Sequence, residues 1–299
     1  MNLTSLITGG SGLLALNWAA ERRHIDNIWL GLNNRQIAMN NTNTIAMSSG
    51  LDHAITFVRP DIIIHTAAMT NVDNCEANEK KAIAVNCDLA ASYAQTAYAL
   101  GLPFVHISTD HLFDGRQPML DEAALCLPIN RYGHSKWLGE RAVLDAHPEA
   151  LVLRINFFCW GPSYRPSLSD WILNSLSKNL PIALYENVYF TPLYAGILIK
   201  IAHQLITQKA KGIYNLTSSE RISKYEFGVK LAQIFGYNAD KITAVPYENR
   251  IPRPLDMSLN NTKTLNALGI DALTIDDSIA ALEANKSLKK IFSSIDKNI

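Results

Sequence analysis

The 299-residue chain has no charge bias: Lys plus Arg and Asp plus Glu both total 27. Without a surplus of positive charge it has no electrostatic grip on a nucleic-acid backbone or an acidic membrane face, so neither is expected as a partner. Close cysteine pairs are also missing. Cys75, Cys87, Cys126 and Cys159 lack the spacing of a metal knuckle and the density of a secreted disulfide scaffold, so they read as reduced thiols and no metal site is expected. No apolar run has membrane-spanning length. The most apolar later stretch, LYAGILIKIAHQLI (193–206), is too short and carries Lys200. The opening MNLTSLITGGSGLL has neither a basic n-region nor a small-residue cleavage site, so it is not expected to be a signal peptide. A cytoplasmic globular protein is the expectation, and a 48% hydrophobic content supplies its core.

Strand-length apolar runs alternate with helix-period segments from the start. LTSLIT (3–8), NIWLGL (27–32), DIIIHTA (61–67), LPFVHIST (102–109) and ALVLRIN (150–156) read as strands. Helices are expected over 12–23, over 79–101 with Gly101 as C-cap, and from Tyr132 onward. The strands are nearly continuous apolar runs, as burial on both faces of a parallel sheet demands. The expected fold class is α/β: a Rossmann-type doubly wound parallel sheet with a smaller C-terminal α/β substrate-binding lobe. Residues 1–156 are assigned to the first unit, which also takes in parts of 187–217. Residues 157–299 form mainly the second, interleaved with the first. Beyond residue 157 prolines interrupt short elements, with helices expected near 192–207, 223–236 and 274–285. The last fifteen residues are expected to fray.

The first strand runs into TGGSGLLA (8–15), and the order strand, glycine turn, helix gives the motif its weight. Gly9 permits the tight turn, Gly12 lets the backbone approach a pyrophosphate, and the N-terminus of the helix expected over 12–23, with Leu13 in its first turn, offers unpaired N–H groups. At the end of the second strand no acidic residue is present to hold a ribose 2′-hydroxyl. Asn33, Asn34 and Arg35 stand there, and an arginine fork suits a 2′-phosphate. NADPH is therefore the expected cofactor, with NADH as the open alternative. After the strand at 61–67, the small Ala67 and Ala68 leave room for a dinucleotide across the sheet edge.

RYGHSKWLGE (131–140) places Tyr132 and Lys136 one helical turn apart on one face, where an ammonium can act on a phenol. Alone, that spacing is one that chance supplies readily. STDHLFDG (108–115) corroborates it, because it sets Ser108, Thr109 and Asp110 at the carboxyl edge of a parallel sheet, where such sheets bind ligands.

Together TGGSGLLA, RPDIIIHTAAMTNVDNCE (59–76), AVNCDLA (84–90), STDHLFDG, NRYGHSKWLGE (130–140) and RPLDMSLNNTK (253–263) make the chain resemble the RmlD-like branch of the extended short-chain dehydrogenase/reductases. That family is typified by dTDP-4-dehydrorhamnose reductase, and the resemblance spans nearly the whole chain. It implies NADPH-dependent reduction of the 4-keto group of a nucleotide-activated deoxysugar by a catalytic group of Thr109, Tyr132 and Lys136. Tyr132 would protonate the carbonyl oxygen and Thr109 would donate a second hydrogen bond to it. Lys136 would hold the nicotinamide ribose and, with the oxidised ring, lower the phenol's pKa by an amount worth about 4 kcal/mol.

The resemblance also places a sugar-nucleotide pocket around RIPRPLDMSLN (250–260), with Arg253 available to a diphosphate. Asp110 and His111 are substrate-binding candidates. His111 departs from the family pattern, which has tyrosine there. In the aromatic stretch NFFCWGPSYRPS (156–167), Phe157, Trp160 and Tyr164 are candidates to pack against a hexose or base, and Trp160 is singled out as substrate-binding. Three other readings stay open: an epimerase, a reductase of another nucleotide sugar, and a non-catalytic cofactor-binding subunit like the β subunit of methionine adenosyltransferase. A homodimer is likewise left open.

Overall fold

A computed structural model describes residues 2–248 and 251–295. Its centre is a seven-stranded, all-parallel sheet in the order β11-β6-β5-β4-β1-β2-β3. The strands are β1 (Thr4–Thr8), β2 (Asn27–Leu32), β3 (Asn43–Ala46), β4 (Ile62–His65), β5 (Phe104–Thr109), β6 (Leu151–Ile155) and β11 (Gly212–Leu216). Side chains alternate faces along a strand, and here both faces are covered. Leu6 and Ile63 enter one apolar cluster, while Ile7, Ile62 and Ile64 enter the other. The order reverses direction between β1 and β4, which makes the carboxyl edge there the crevice in which open α/β sheets take their ligands.

The helix Leu13–Arg22 follows β1 and buries Trp18 completely, its indole N–H donating to His203 Nε2 at 2.9 Å. His203 lies on the helix Ala195–Thr207, so the later half of the chain packs against the first helix. Outside the sheet, β7 (Phe157–Phe158) pairs with β10 (Leu193–Tyr194), β8 (Ile182–Tyr185) with β13 (Ile242–Val245), and β9 (Tyr189–Phe190) with β12 (Ile222–Ser223). Among the described residues no helix is long and apolar enough to cross a membrane.

Three expectations are corrected. The segment 79–101 is not one regular helix: Glu79–Ile83 and Leu89–Ala99 flank a π-helical turn at Ala84–Asp88. The reason sits in that turn, where Asn86 bonds both backbone groups of Met69, accepting from its N–H at 2.7 Å and donating to its carbonyl at 3.0 Å. A helix at Leu168–Ser177 was missed among the prolines, although Ser167 and Asp170 form a capping box at its start. Residues 285–295 do not fray, because the helix Leu288–Ile295 fully buries Phe292 and Ile295; residues 296–299 lie outside the described residues.

Candidate active site

The crevice has a glycine pole and a tyrosine pole. At the glycine pole, Gly9 adopts φ +74°, and a Cβ there would stand 2.7 Å from the backbone of Ala67. Only glycine lets β1's turn lie this close to the end of β4. Gly12 caps the helix that begins at Leu13, with no side chain bonded to the helix's first N–H groups. Those groups and the positive end of the helix dipole form a cradle for an anion. Ala67 and Ala68 are half-buried beside it. Asn33, Asn34 and Arg35 are exposed just past β2, and the Arg35 guanidinium lies 4.0 Å from the centre of the Tyr164 ring. The Tyr164 hydroxyl donates to the Ser11 carbonyl in the glycine turn at 3.0 Å. A glycine cradle at a helix start that no side chain caps, with a cation at the end of β2, fits a dinucleotide carrying an added phosphate.

At the tyrosine pole, the helix Arg131–Ala146 starts at Asn130, whose side chain accepts from the Gly133 N–H at 2.8 Å. A Cβ on Gly133 would stand 2.2 Å from the His111 carbonyl, so the helix presses directly on the loop after β5. That contact brings Tyr132 to the end of β5. Its phenol is buried and hydrogen-bonded with the Thr109 hydroxyl. Thr109 also donates to Asp110 Oδ1 at 3.2 Å, and Asn156 donates to the other Asp110 oxygen. The His111 ring meets the Tyr132 ring edge-on at 5.4 Å, and its buried Nδ1 has no partner. Farther along the same helix Glu140 forms a two-pronged ion pair with Arg154 of β6, both nearly inaccessible, at distances down to 2.8 Å. Such a pair fixes the helix on the sheet more than it stabilises the fold.

Burial pushes the Tyr132 phenol well above its ordinary value; Thr109 opposes the rise, and Asp110 and Cys75 add to it. Lys136 is not among the groups that set the phenol here; the expected lowering is that of Lys136 together with an oxidised nicotinamide ring. The Lys136 ammonium reaches past the phenol to β5, donating to the Ile107 carbonyl at 2.6 Å beside His106 Nε2 at 3.4 Å. Burial brings that ammonium down to about 8, with Glu140 opposing. His106 and His65 stack at 5.6 Å, and burial keeps both neutral, His65 at about 3.

Arg253 is carried to this pole by its loop: Asn130 donates to the Pro252 carbonyl at 3.1 Å, and Arg253 itself pairs with Asp73 at 3.2 Å. Arg250 lies outside the described residues. Trp160 does not reach the crevice. It is 3% exposed, edge-on to Phe235 in the core, and its indole N–H donates to the Leu282 carbonyl at 3.0 Å. Tyr164, considered for the sugar, sits at the glycine pole instead. One residue of the tyrosine pole was overlooked: Lys224, the first residue of the helix Lys224–Ile234, acts electrostatically on Asp110 and His111. The only sequence signal pointing to it was the Ser223–Glu226 capping box, which marks the helix start.

The strand order, the glycine turn and a Tyr-x-x-x-Lys helix beside Thr109 define the architecture of an extended short-chain dehydrogenase/reductase. A family model described as the RmlD substrate binding domain matches residues 3–286, and the chain belongs to that family. It is 31% identical over 231 residues to a probable low-salt glycan biosynthesis reductase, Agl14, of Haloferax volcanii, covering 75% of this chain and 77% of that one. It is 31% identical over 281 residues to the dTDP-4-dehydrorhamnose reductase of Sinorhizobium fredii (88% and 91%). It is also 27% identical over 294 residues to the methionine adenosyltransferase 2 subunit beta of Xenopus tropicalis (90% and 84%). Among solved structures, dTDP-4-dehydrorhamnose reductase from Bacillus anthracis in complex with NADP superposes with a TM-score of 0.83 at 22% identity, covering 96% of this chain and all of that one.

Proposed function

We propose that the protein is an NADPH-dependent reductase of the 4-keto group of a nucleotide-activated deoxysugar. The observation that carries this reading is a neutral, buried Tyr132 in hydrogen-bonding contact with Thr109, at the same sheet edge as the Gly9–Leu13 cradle and Arg35. The relatives named as reductases from Haloferax and Sinorhizobium support it.

The cofactor supplies the hydride. Gly9 and Gly12 would let the turn close on its pyrophosphate, the helix start at Leu13 would offer it backbone N–H groups, Ala67 and Ala68 would leave it room, and Asn33, Asn34 and Arg35 would face its adenosine ribose, with the guanidinium for a 2′-phosphate. Tyr132 keeps its proton at neutral pH and gives it to the substrate oxygen as charge develops there. Thr109 donates to that same oxygen. Lys136, held low by burial, stands one turn along to bind a ribose hydroxyl and to restore the phenol's proton. Asp110 and His111 border the sugar, and Arg253 lies where a diphosphate can replace Asp73 as its partner. The sheet-bearing half thus serves the cofactor and the residues after 157 mainly the sugar nucleotide.

The test is a screen of NADPH oxidation against dTDP-, GDP- and CDP-linked 4-keto-6-deoxyhexoses, with product analysis and Tyr132→Phe as control. A reduced C4 alcohol formed only by the wild type is the expected outcome. An isomerised sugar with no net oxidation of NADPH would replace reduction by epimerisation. The similarity to methionine adenosyltransferase subunits favours one other reading, a cofactor-binding subunit of another enzyme. Co-purification with such an enzyme, with no keto-sugar reduced, would establish that one instead.

A further inference from the structure

Lys224 is placed with unusual rigidity for a lysine. The Ser223–Glu226 capping box fixes the helix start, and the Lys224 backbone N–H donates to the Val188 carbonyl at 3.0 Å. Its half-buried side chain runs along β9 to set the ammonium 3.2 Å from the centre of the Phe190 ring. Among the described residues no carboxylate pairs with it at salt-bridge distance, although Asp110 lies close enough to act on it. An aromatic face satisfies an ammonium only in part, because it takes the charge and leaves N–H donors free.

The neighbours decide what those donors await. Asp110 is bonded to Thr109, which touches Tyr132, so Lys224 and Asp110 flank the place where the reacting carbonyl lies. A carboxylate beside an ammonium repels a phosphate, whereas a neutral hydroxyl is served by both, donating to one and accepting from the other. We infer that Lys224 is a substrate-binding residue which, paired with Asp110, grips a hydroxyl of the sugar next to the reacting carbonyl. The inference rests on the reading of the protein as a sugar-nucleotide reductase. It assigns the sugar's recognition to Lys224 and leaves the diphosphate to Arg253.

The experiment is calorimetric binding, with NADP⁺ present, of dTDP-glucose and of free dTDP to wild type, Lys224→Met and Lys224→Arg. Lys224→Met keeps the alkyl stem over Phe190, and unchanged NADP⁺ affinity reports an intact fold. The expected result is about a tenfold loss of dTDP-glucose affinity in Lys224→Met, little change for dTDP, and partial recovery in Lys224→Arg. Equal losses for both ligands would make Lys224 a phosphate contact and overturn the inference, as would full retention of the sugar nucleotide. A wild type that holds dTDP-glucose no better than dTDP would instead strike at the parent reading, because no sugar subsite would then exist.

Discussion

The two poles of the crevice are built from different materials. At the glycine pole, from Gly9 to Arg35, the surfaces are backbone N–H groups, small residues and exposed side chains. At the tyrosine pole, from Thr109 to Lys224, they are titratable side chains withdrawn from water, several with polar atoms left unpaired. A backbone cradle is sensitive to shape and almost indifferent to pH, whereas buried acids and bases carry their chemistry in their protonation and weaken the fold to do so. Substitutions at the glycine pole should therefore act on cofactor binding, and at the tyrosine pole on the substrate, on turnover and on stability.

The largest expected break is at Tyr132. Tyr132→Phe removes the proton donor and should cut kcat by about 10²–10⁴-fold while NADPH still quenches protein fluorescence with wild-type affinity. Wild-type turnover in that variant would end the acid assignment. Gly9→Ala is the converse case. A left-handed φ costs an alanine roughly 1–2 kcal/mol, and its Cβ would drive into Ala67, so NADPH affinity should fall by about tenfold or more in the same titration.

Arg35→Ala sharpens the comparison within the glycine pole, with an expected loss of about tenfold for NADPH and almost none for NADH. Equal losses for both would remove the 2′-phosphate from Arg35. The smallest effect is on stability at the other pole. Lys136 is held at about 8 against an ordinary 10.5, so below pH 8 the folded chain carries a buried charge, and the penalty fades as pH rises from about 8 to 10.5. Lys136→Met should therefore melt higher than wild type at pH 7, by on the order of 3 °C, with the gap closing towards pH 10.5. A variant that melts lower at pH 7 would show that the Ile107 bond outweighs desolvation.

The geometry of the glycine turn was legible in the sequence because it is local: strand, turn and helix start follow one another within a dozen residues. The Tyr132–Lys136 helix was legible for the same reason, and its boundaries follow the apolar period. The direction of the Lys136 ammonium was not. Helical spacing places both side chains on one face, but the Ile107 carbonyl that captures the ammonium belongs to a strand 29 residues away. Lys224 was invisible for a stronger reason. Its partner Phe190 is delivered by the antiparallel pairing of β9 with β12, which no local pattern announces. Trp160 misled because an aromatic stripe reads alike whether it faces a ligand or a core.

Asn130 spends its one side-chain amide on two parts of the molecule. Its oxygen receives the Gly133 N–H at the head of the tyrosine helix, while its nitrogen holds the Pro252 carbonyl next to Arg253. The amide is planar and rigid, so these two bonds move together as the arms of a single lever. The segment that carries Arg253 is thereby yoked to the turn that carries Tyr132, and neither can be displaced without tugging on the other.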